Sequence, residues 1–199
     1  MSATNRGSTR NERDFYPTPL SAFTPLLPFL NQHKLHWEPA CGDGRLIRAM
    51  RGAGITADGS DIENHAGETP RDFLSDDTTR ETIITNPPFS LAFEFCKHAR
   101  LHSTETWLLL SLNFLASGRR KLWFQANEPA ALFVLSSRPS FCRRTTCLNC
   151  RCSITTDPST RAPKSCIACG SGLLKHSSND NCEYAWYYWG TRHSGIKHL

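Results

Sequence analysis

Asn86, Pro87, Pro88 and Phe89 stand in a row directly after the β-branched run Thr82-Ile83-Ile84-Thr85. A strand that ends this way sheds hydrogen-bond donors and keeps acceptors. The asparagine side-chain oxygen accepts, and a proline carbonyl accepts while its nitrogen carries no hydrogen. Proline holds φ near −65° and keeps the residue before it extended, so both acceptors are placed before any ligand arrives. Such a pair suits an –NH2 group, and Phe89 offers a flat face on which a planar ring can stack, worth ~1–3 kcal/mol. The structural alternative is a strand-ending turn with a core phenylalanine.

A second constellation is made of thiols. Cys147-x-x-Cys150 and Cys166-x-x-Cys169 are separated by fifteen residues, the spacing of a four-thiolate zinc ribbon. Gly170 and Gly172 suit the turn after the second pair. Four thiolates close the coordination sphere, so the expected Zn²⁺ is structural. Cys142 and Cys152 are spare and could replace a ligand, and a redox or disulfide pairing is the alternative reading of the set. Cys96 and Cys182 have no partner in the spacing and are expected to pack.

The elements that must hold these residues follow from periodicity. Residues 1–13 are polar and expected to be flexible, and the proline-punctuated stretch 14–32 enters a short helix. Residues 35–54 read as a strand ending at Glu38, a glycine-rich turn and a helix with Leu46, Ile47 and Met50 on one face. A second strand ends at Asp61, residues 71–77 form a loop, and Thr82–Thr85 is the third strand. A helix with Leu91, Phe95, Cys96 and Ala99 on one side comes next. Residues 106–115 form a continuous apolar run of strand length, as in a strand covered on both faces. A helix over 118–127, a strand at 131–137 and the aromatic strand Tyr184–Trp189 complete the pattern. Strands alternating with helices predict an α/β fold, a doubly wound and mostly parallel Rossmann-like sheet with an inserted zinc ribbon. The expected divisions are the flexible 1–13, a core over 14–141, the ribbon over 142–178, and the last strand with a tail over 179–199. His193 and His198 in that tail are expected to be solvated.

In such sheets ligands bind beyond the carboxyl ends of the strands. The turn Glu38-Pro39-Ala40-Cys41-Gly42-Asp43-Gly44 lies at one such end. Its glycines permit a tight turn and close approach of a ligand. Glu38 is placed for a cationic group and Asp61 for ribose hydroxyls. Position 47 is Ile, so the six-residue G-x-G-x-x-G dinucleotide fingerprint is absent, and no P-loop occurs.

The segments DFYPTP, EPACGDG, SDIE, RDF and NPPF, in that order, resemble the amino-methyltransferases that use S-adenosylmethionine. The likeness is strongest to adenine-N6 DNA methyltransferases of gamma-like motif order, the compact orphan type carried by phages and prophages. It covers residues 14–141 and resumes at EYAWYYW. The resemblance implies that Tyr16 and Thr18 contact the methionine carboxylate end of the cofactor and that Glu38 faces its amino group. Ala40, Cys41, Gly42 and Gly44 would form the backbone cradle and Asp61 would hold the ribose. Asp72 would bind the adenine amine, with Phe73 and Ile62 on the adenine ring. Asp72 as a helix cap and Tyr16 as core are the alternatives.

An exocyclic amine on a nucleobase is a poor nucleophile because its lone pair is delocalised into the ring. Asn86 and the Pro87 carbonyl, accepting both amine hydrogens, would localise it, with Pro88 rigidifying the motif and Phe89 stacking on the base. A duplex substrate must be flipped out for this. The Pro-Cys of a cytosine-C5 enzyme is missing after this strand. RNA bases, cytosine N4, a glutamine amide, or an inactive scaffold that binds nucleic acid through the ribbon remain as alternatives.

The chain of 199 residues has a net charge of +5. Between Cys142 and Lys175 lie Arg143, Arg144, Arg151, Arg161, Lys164 and Lys175 against Asp157 alone, so the module carries the whole excess. A zinc-tetrathiolate would lower that local charge to about +3. A neutral body with one basic module fits a polyanion, expected to be DNA, with Arg143, Arg144, Arg151, Arg161 and Lys164 as contacts and Asn179 and Asp180 near the base. A zinc-stapled loop that only stabilises the domain is the alternative. No apolar run reaches the ~20 residues of a membrane span. The polar start has no signal-peptide core, so a cytoplasmic protein is expected, in the host cytoplasm if phage-encoded. Monomer and dimer both fit.

Overall fold

Trp107 and Leu109 point to one face of the sheet and Leu108 and Leu110 to the other, and all four are buried. A strand apolar at every position must be covered on both sides, and this one is central. In the computed structural model the described residues are 16–63, 69–141, 143–156, 160–177 and 182–199. The expected flexible segment 1–13, and Cys142, Asn179 and Asp180, lie outside them.

The strands of the main sheet are β1 (His36–Glu38), β2 (Ala57–Asp61), β3 (Thr69–Pro70), β4 (Arg80–Thr85), β5 (Ser103–Ser111), β6 (Ala131–Val134), β10 (Tyr184–Trp189) and β11 (Gly195–His198). Their order is β11-β6-β10-β5-β4-β1-β2-β3. All neighbours are parallel except β10, which runs antiparallel to both β5 and β6. The chain steps outward from β1 to β2 and β3, then returns to the other side of β1 with β4. The switch point therefore lies between β1 and β4, where doubly wound sheets bind ligands.

One face is packed by α1 (Leu20–Phe23), the 3₁₀ turn Thr24–Phe29 and α2 (Arg45–Gly52), through Phe23, Leu26, Leu46, Ile47 and Met50. The other is packed by α3 (Ala92–His102) through Phe95, Cys96 and Ala99, with Phe124 of α4 (Lys121–Ala126) nearby. Tyr187 and Trp189 of β10 face this second layer, while Trp186 and Tyr188 face the first. The mostly parallel α/β sheet expected from the sequence is therefore present.

The residues between β6 and β10 form a separate antiparallel sheet, β8-β7-β9, from β7 (Arg143–Cys147), β8 (Ser153–Thr156) and β9 (Leu174–Ser177).

Three local expectations are corrected. The tail is not an appendage: β11 pairs in parallel with β6 and extends the sheet. His193 is held in a ring cage of Phe29, Trp107, Phe133 and Tyr188, with its Nε2 3.0 Å from the Phe29 carbonyl. Leu91 does not join the buried face of α3; it precedes the first turn and is 42% exposed.

Candidate active site and cysteine cluster

β1 ends in Glu38 and hands over to a turn whose Gly42 and Gly44 have φ of 51° and 72°, a region that disfavours any side chain. The Cys41 N–H donates to Ser60 O at 3.0 Å, and the Gly42 N–H donates to Asp61 Oδ2 at 2.8 Å. The turn is thus fastened to the end of β2. Gly44 then caps α2.

Glu38 is 1% exposed, and its Oε2 has no hydrogen-bond partner among the described residues. Burial, with the Asp43 and Asp61 carboxylates adding to it, pushes its pKa well above the usual 4.5. Burial thus favours the neutral carboxyl, and a cation brought beside it would favour the ionised form.

β4 delivers Asn86 to the same place. The Asn86 Nδ2 donates to Tyr16 O at 3.1 Å, which fixes the amide plane. Its Oδ1 is buried and accepts from nothing among the described residues. The Pro88 carbonyl is taken by the Leu91 N–H at 3.0 Å. Phe89 lies 5.2 Å from the Tyr16 ring, 5.8 Å from Phe141 and 6.5 Å from Tyr184.

Tyr16, Thr18, Glu38, Ala40, Cys41, Gly42 and Asp61 line one cleft together with Asn86, Pro87, Pro88 and Phe89. The structure adds Pro17, Asp43, Arg45 and Leu46 to the lining. Asp43 lies inside the glycine turn and pairs with Arg45 at 2.8 Å, a signal that was available in the Gly-Asp-Gly-Arg run. Phe141 and Tyr184, which box Phe89, are remote in sequence and carry no local signal.

Four expected residues do not line this cleft. Gly44 stands behind the turn as the cap of α2. Ile62 is 65% exposed just past β2. Asp72 is exposed and caps a 3₁₀ turn, its Oδ1 accepting from the Leu74 N–H at 3.0 Å. Phe73 is 2% exposed, its ring packed between Trp37, Phe95 and His98.

The cleft is tight, about 60 Å³, against the ~300 Å³ or more of a typical small-molecule site. A larger hollow of about 980 Å³ lies at the far edge of the sheet, between α4, β6 and β11. None of the glycine-turn or NPPF residues reaches it, so the chemistry assigns the ligand to the smaller cleft. The orphaned Glu38 oxygen, the positive-φ glycine turn and Asp61 match the ammonium and ribose groups of S-adenosylmethionine in chemistry, and a cleft of this volume must widen to admit the whole molecule.

The four expected cysteines converge: one sulfur from each of Cys147, Cys150, Cys166 and Cys169 lies within 4.8 Å of the others. Cys147 and Cys169 are 3.7 Å apart and Cys150 and Cys166 3.6 Å, close to the ~3.8 Å edge of a tetrahedron with ~2.3 Å zinc–sulfur bonds. The N–H of Cys150 points at Cys147 Sγ, and this draws the Cys147 pKa down. Cys152 lies 3.2 Å from Cys150 and 3.1 Å from Cys166. Its hydrogen bond, with the N–H groups of Ala168 and Cys169, pulls Cys166 down to about 6. Among the described residues of 143–177, only Thr145, Cys147 and Cys166 are buried. So small a unit without an apolar core needs a cross-link, and this donor set fits Zn²⁺.

Arg151, Arg161 and Lys164 are exposed on this unit. Arg143 and Arg144 lie on β7, with side chains outside the described residues. Both ends of the unit meet the cleft, because Phe141 and Tyr184 pack on Phe89 and Arg138 pairs with Glu183 beside them. No described helix is long and apolar enough to cross a membrane.

No protein-family model and no curated protein matches the chain. Solved structures resemble it to different degrees. The Pyrococcus horikoshii protein PH1948, provisionally described as an RNA methyltransferase, aligns with a TM-score of 0.56 at 15% identity, over 90% of this chain and 88% of that one. A TehB-like S-adenosylmethionine-dependent methyltransferase from Corynebacterium glutamicum aligns at 0.45 and 11%, over 86% and 87%. The M protein of the type I restriction enzyme EcoKI aligns at 0.46 and 12%, over 91% of this chain and 45% of that one. The alignment with PH1948 shows a shared Rossmann-like fold.

Proposed function

We propose, from that fold and cleft, that the protein is an S-adenosylmethionine-dependent methyltransferase that methylates adenine N6 in DNA. The observation that carries the reading is the Asn86 amide. Its nitrogen is anchored on Tyr16 O, its oxygen is buried and unpartnered among the described residues, and the residue lines the cleft that Glu38 and the glycine turn share.

S-adenosylmethionine would supply an electrophilic methyl group on a sulfonium. Every other part belongs to the chain. Glu38 would bind the ammonium group of the cofactor, and the charge so introduced would restore its ionised form. Asp61, already oriented by the Gly42 N–H, would accept from the ribose hydroxyls. Tyr16 and Thr18 would meet the carboxylate end. Asn86 Oδ1 and the Pro87 carbonyl would each accept one hydrogen of the adenine amine, pulling the nitrogen toward a tetrahedral shape and freeing its lone pair. Phe89, boxed by Tyr16, Phe141 and Tyr184, would stack on the flipped base. The proton released by methylation needs no covalent intermediate and leaves to water.

The cysteine cluster would hold a structural zinc, and the basic unit around it would grip the DNA through Arg143, Arg144, Arg151, Arg161 and Lys164. Its two junctions beside Phe89 support a role in presenting the target base. The test is to incubate the protein with labelled S-adenosylmethionine and unmethylated DNA, digest to nucleosides and identify the methylated base by mass spectrometry. N6-methyladenine is expected. N4-methylcytosine, or label only in an RNA control, would overturn the assignment of the base or of the polymer.

A further inference from the structure

A second group of metal-ligating side chains lies outside this site. Asp77, His98 and His102 each place one ligand atom within 4.8 Å of the others. We propose that they form a separate site for a borderline divalent transition-metal ion such as Zn²⁺, Co²⁺ or Ni²⁺.

His98 and His102 are four residues apart on α3, so they share one face of the helix. Their rings are 4.3 Å apart and tilted by 34°. The His98 ring is fixed in two ways. It stands edge-on to Phe73 at 4.7 Å, and its Nε2 lies 3.0 Å from the Asp76 carbonyl. A carbonyl can only accept, so Nε2 carries the hydrogen and Nδ1 keeps its lone pair. A carbonyl behind one ring nitrogen is the usual support of a histidine that binds a metal through the other nitrogen.

The carboxylate comes from the segment before β4. Its backbone is held by Asp76, which pairs with Arg71 at 2.8 Å and Arg80 at 3.4 Å and accepts from the Thr78 N–H at 3.1 Å. The Asp77 side chain is 90% exposed, with Oδ1 3.7 Å from His102 Nε2. Metal–ligand bonds of ~2.0–2.2 Å require donors ~3.3–3.5 Å apart, so a small swing of this exposed side chain brings the Asp77–His102 pair into range. Two imidazoles and one carboxylate leave positions for water, which distinguishes this site from the closed thiolate cluster.

α3 begins beside the NPPF turn and runs back to the start of β5. The three ligands therefore lie at the opposite end of the sheet from the cleft, where an ion would clamp the end of α3 to the segment entering β4. Binding to the folded state alone raises stability with metal concentration.

The test uses the tag-free full chain equilibrated with buffered Zn²⁺, with bound metal counted by atomic emission. Asp77→Asn and His102→Gln are the variants, since His98 also packs on Phe73. Wild type is expected to bind one equivalent more than either variant, whatever the thiolates hold. Where a residual site persists in a variant, its midpoint should move by ~10-fold or more. The thermal midpoint of the wild type should rise over the range in which that equivalent binds, and those of the variants should not. Equal metal content in wild type and both variants would overturn the proposal.

Discussion

Asn86 and Glu38 each carry a buried oxygen that nothing among the described residues satisfies, and each predicts a separable defect. Asn86→Ala removes an acceptor that matters only when the amine reacts. Turnover should fall by ~10²–10³-fold or more, while cofactor affinity measured by calorimetry stays within a few-fold. Activity surviving near wild type would discard the acceptor account. Glu38→Gln should act in the opposite sense on stability and binding. The native carboxyl holds its proton above pH 4.5, whereas the unfolded chain releases it there. Stability is therefore lost as pH rises from 4.5 through the raised native value. The ligand-free variant should match wild type near pH 4.5 and melt higher at pH 8, by about 2–4 °C for each kcal/mol recovered. The same variant should bind the cofactor more weakly at pH 8, and wild-type binding should release a proton, visible as a heat that changes with buffer. Asn86 and Glu38 were legible from residue type and strand-end position alone. Asp72 and Phe73 were not: an exposed Asp beside a 3₁₀ turn finds its own backbone, and a Phe flanked by Trp37 and Phe95 is drawn into the core.

At the scale of elements, the cleft depends on how closely α2 and β2 approach. A Cβ on Gly59 would stand 2.2 Å from Ile47 Cδ1, 3.1 Å from Cys41 Cβ and 3.1 Å from the Glu38 carbonyl. Gly59→Ala should destabilise the fold by about 1–3 kcal/mol through overpacking. Adding Ile47→Val, which deletes the clashing methyl, should recover part of that loss. A denaturant titration in which the double variant is no more stable than Gly59→Ala would place the strain on the backbone of β1 instead. The central strands were readable because both their faces are covered, which makes Trp107–Leu110 and Tyr184–Trp189 unbroken apolar runs. β3 and β11 escaped because an edge strand of two residues, or one reading Gly-Ile-Lys-His, has no such signature. What places β11 is its ladder with β6 and the ring cage around His193, neither of which is local in sequence.

For the molecule as a whole, the cysteine unit and the sheet are stabilised by different means. If the thiolates hold zinc and the unit binds DNA as proposed, a strong chelator should abolish DNA binding and leave cofactor binding intact, because the sheet has its own core and the described residues of 143–177 have almost none. Loss of both together would mean that the unit is part of the main fold. Reversing charge at Arg151 and Arg161, which are exposed, should lower the salt dependence of DNA binding by about one unit of slope for each phosphate no longer neutralised. An unchanged slope would confine the unit to a structural role.

β6 and β10 are antiparallel neighbours, and the Leu135 N–H still donates to Tyr184 O at 3.0 Å where the two strands part. The whole cysteine unit therefore emerges from what would otherwise be a hairpin bend, and leaves the ladder unbroken. A graft is then possible in either direction. A short turn could replace residues between Leu135 and Tyr184 to yield a minimal sheet, at the loss of Phe141 from the wall around Phe89. A different loop could be transplanted onto the same two strand ends, altering what is presented to the cleft without re-engineering the cleft itself.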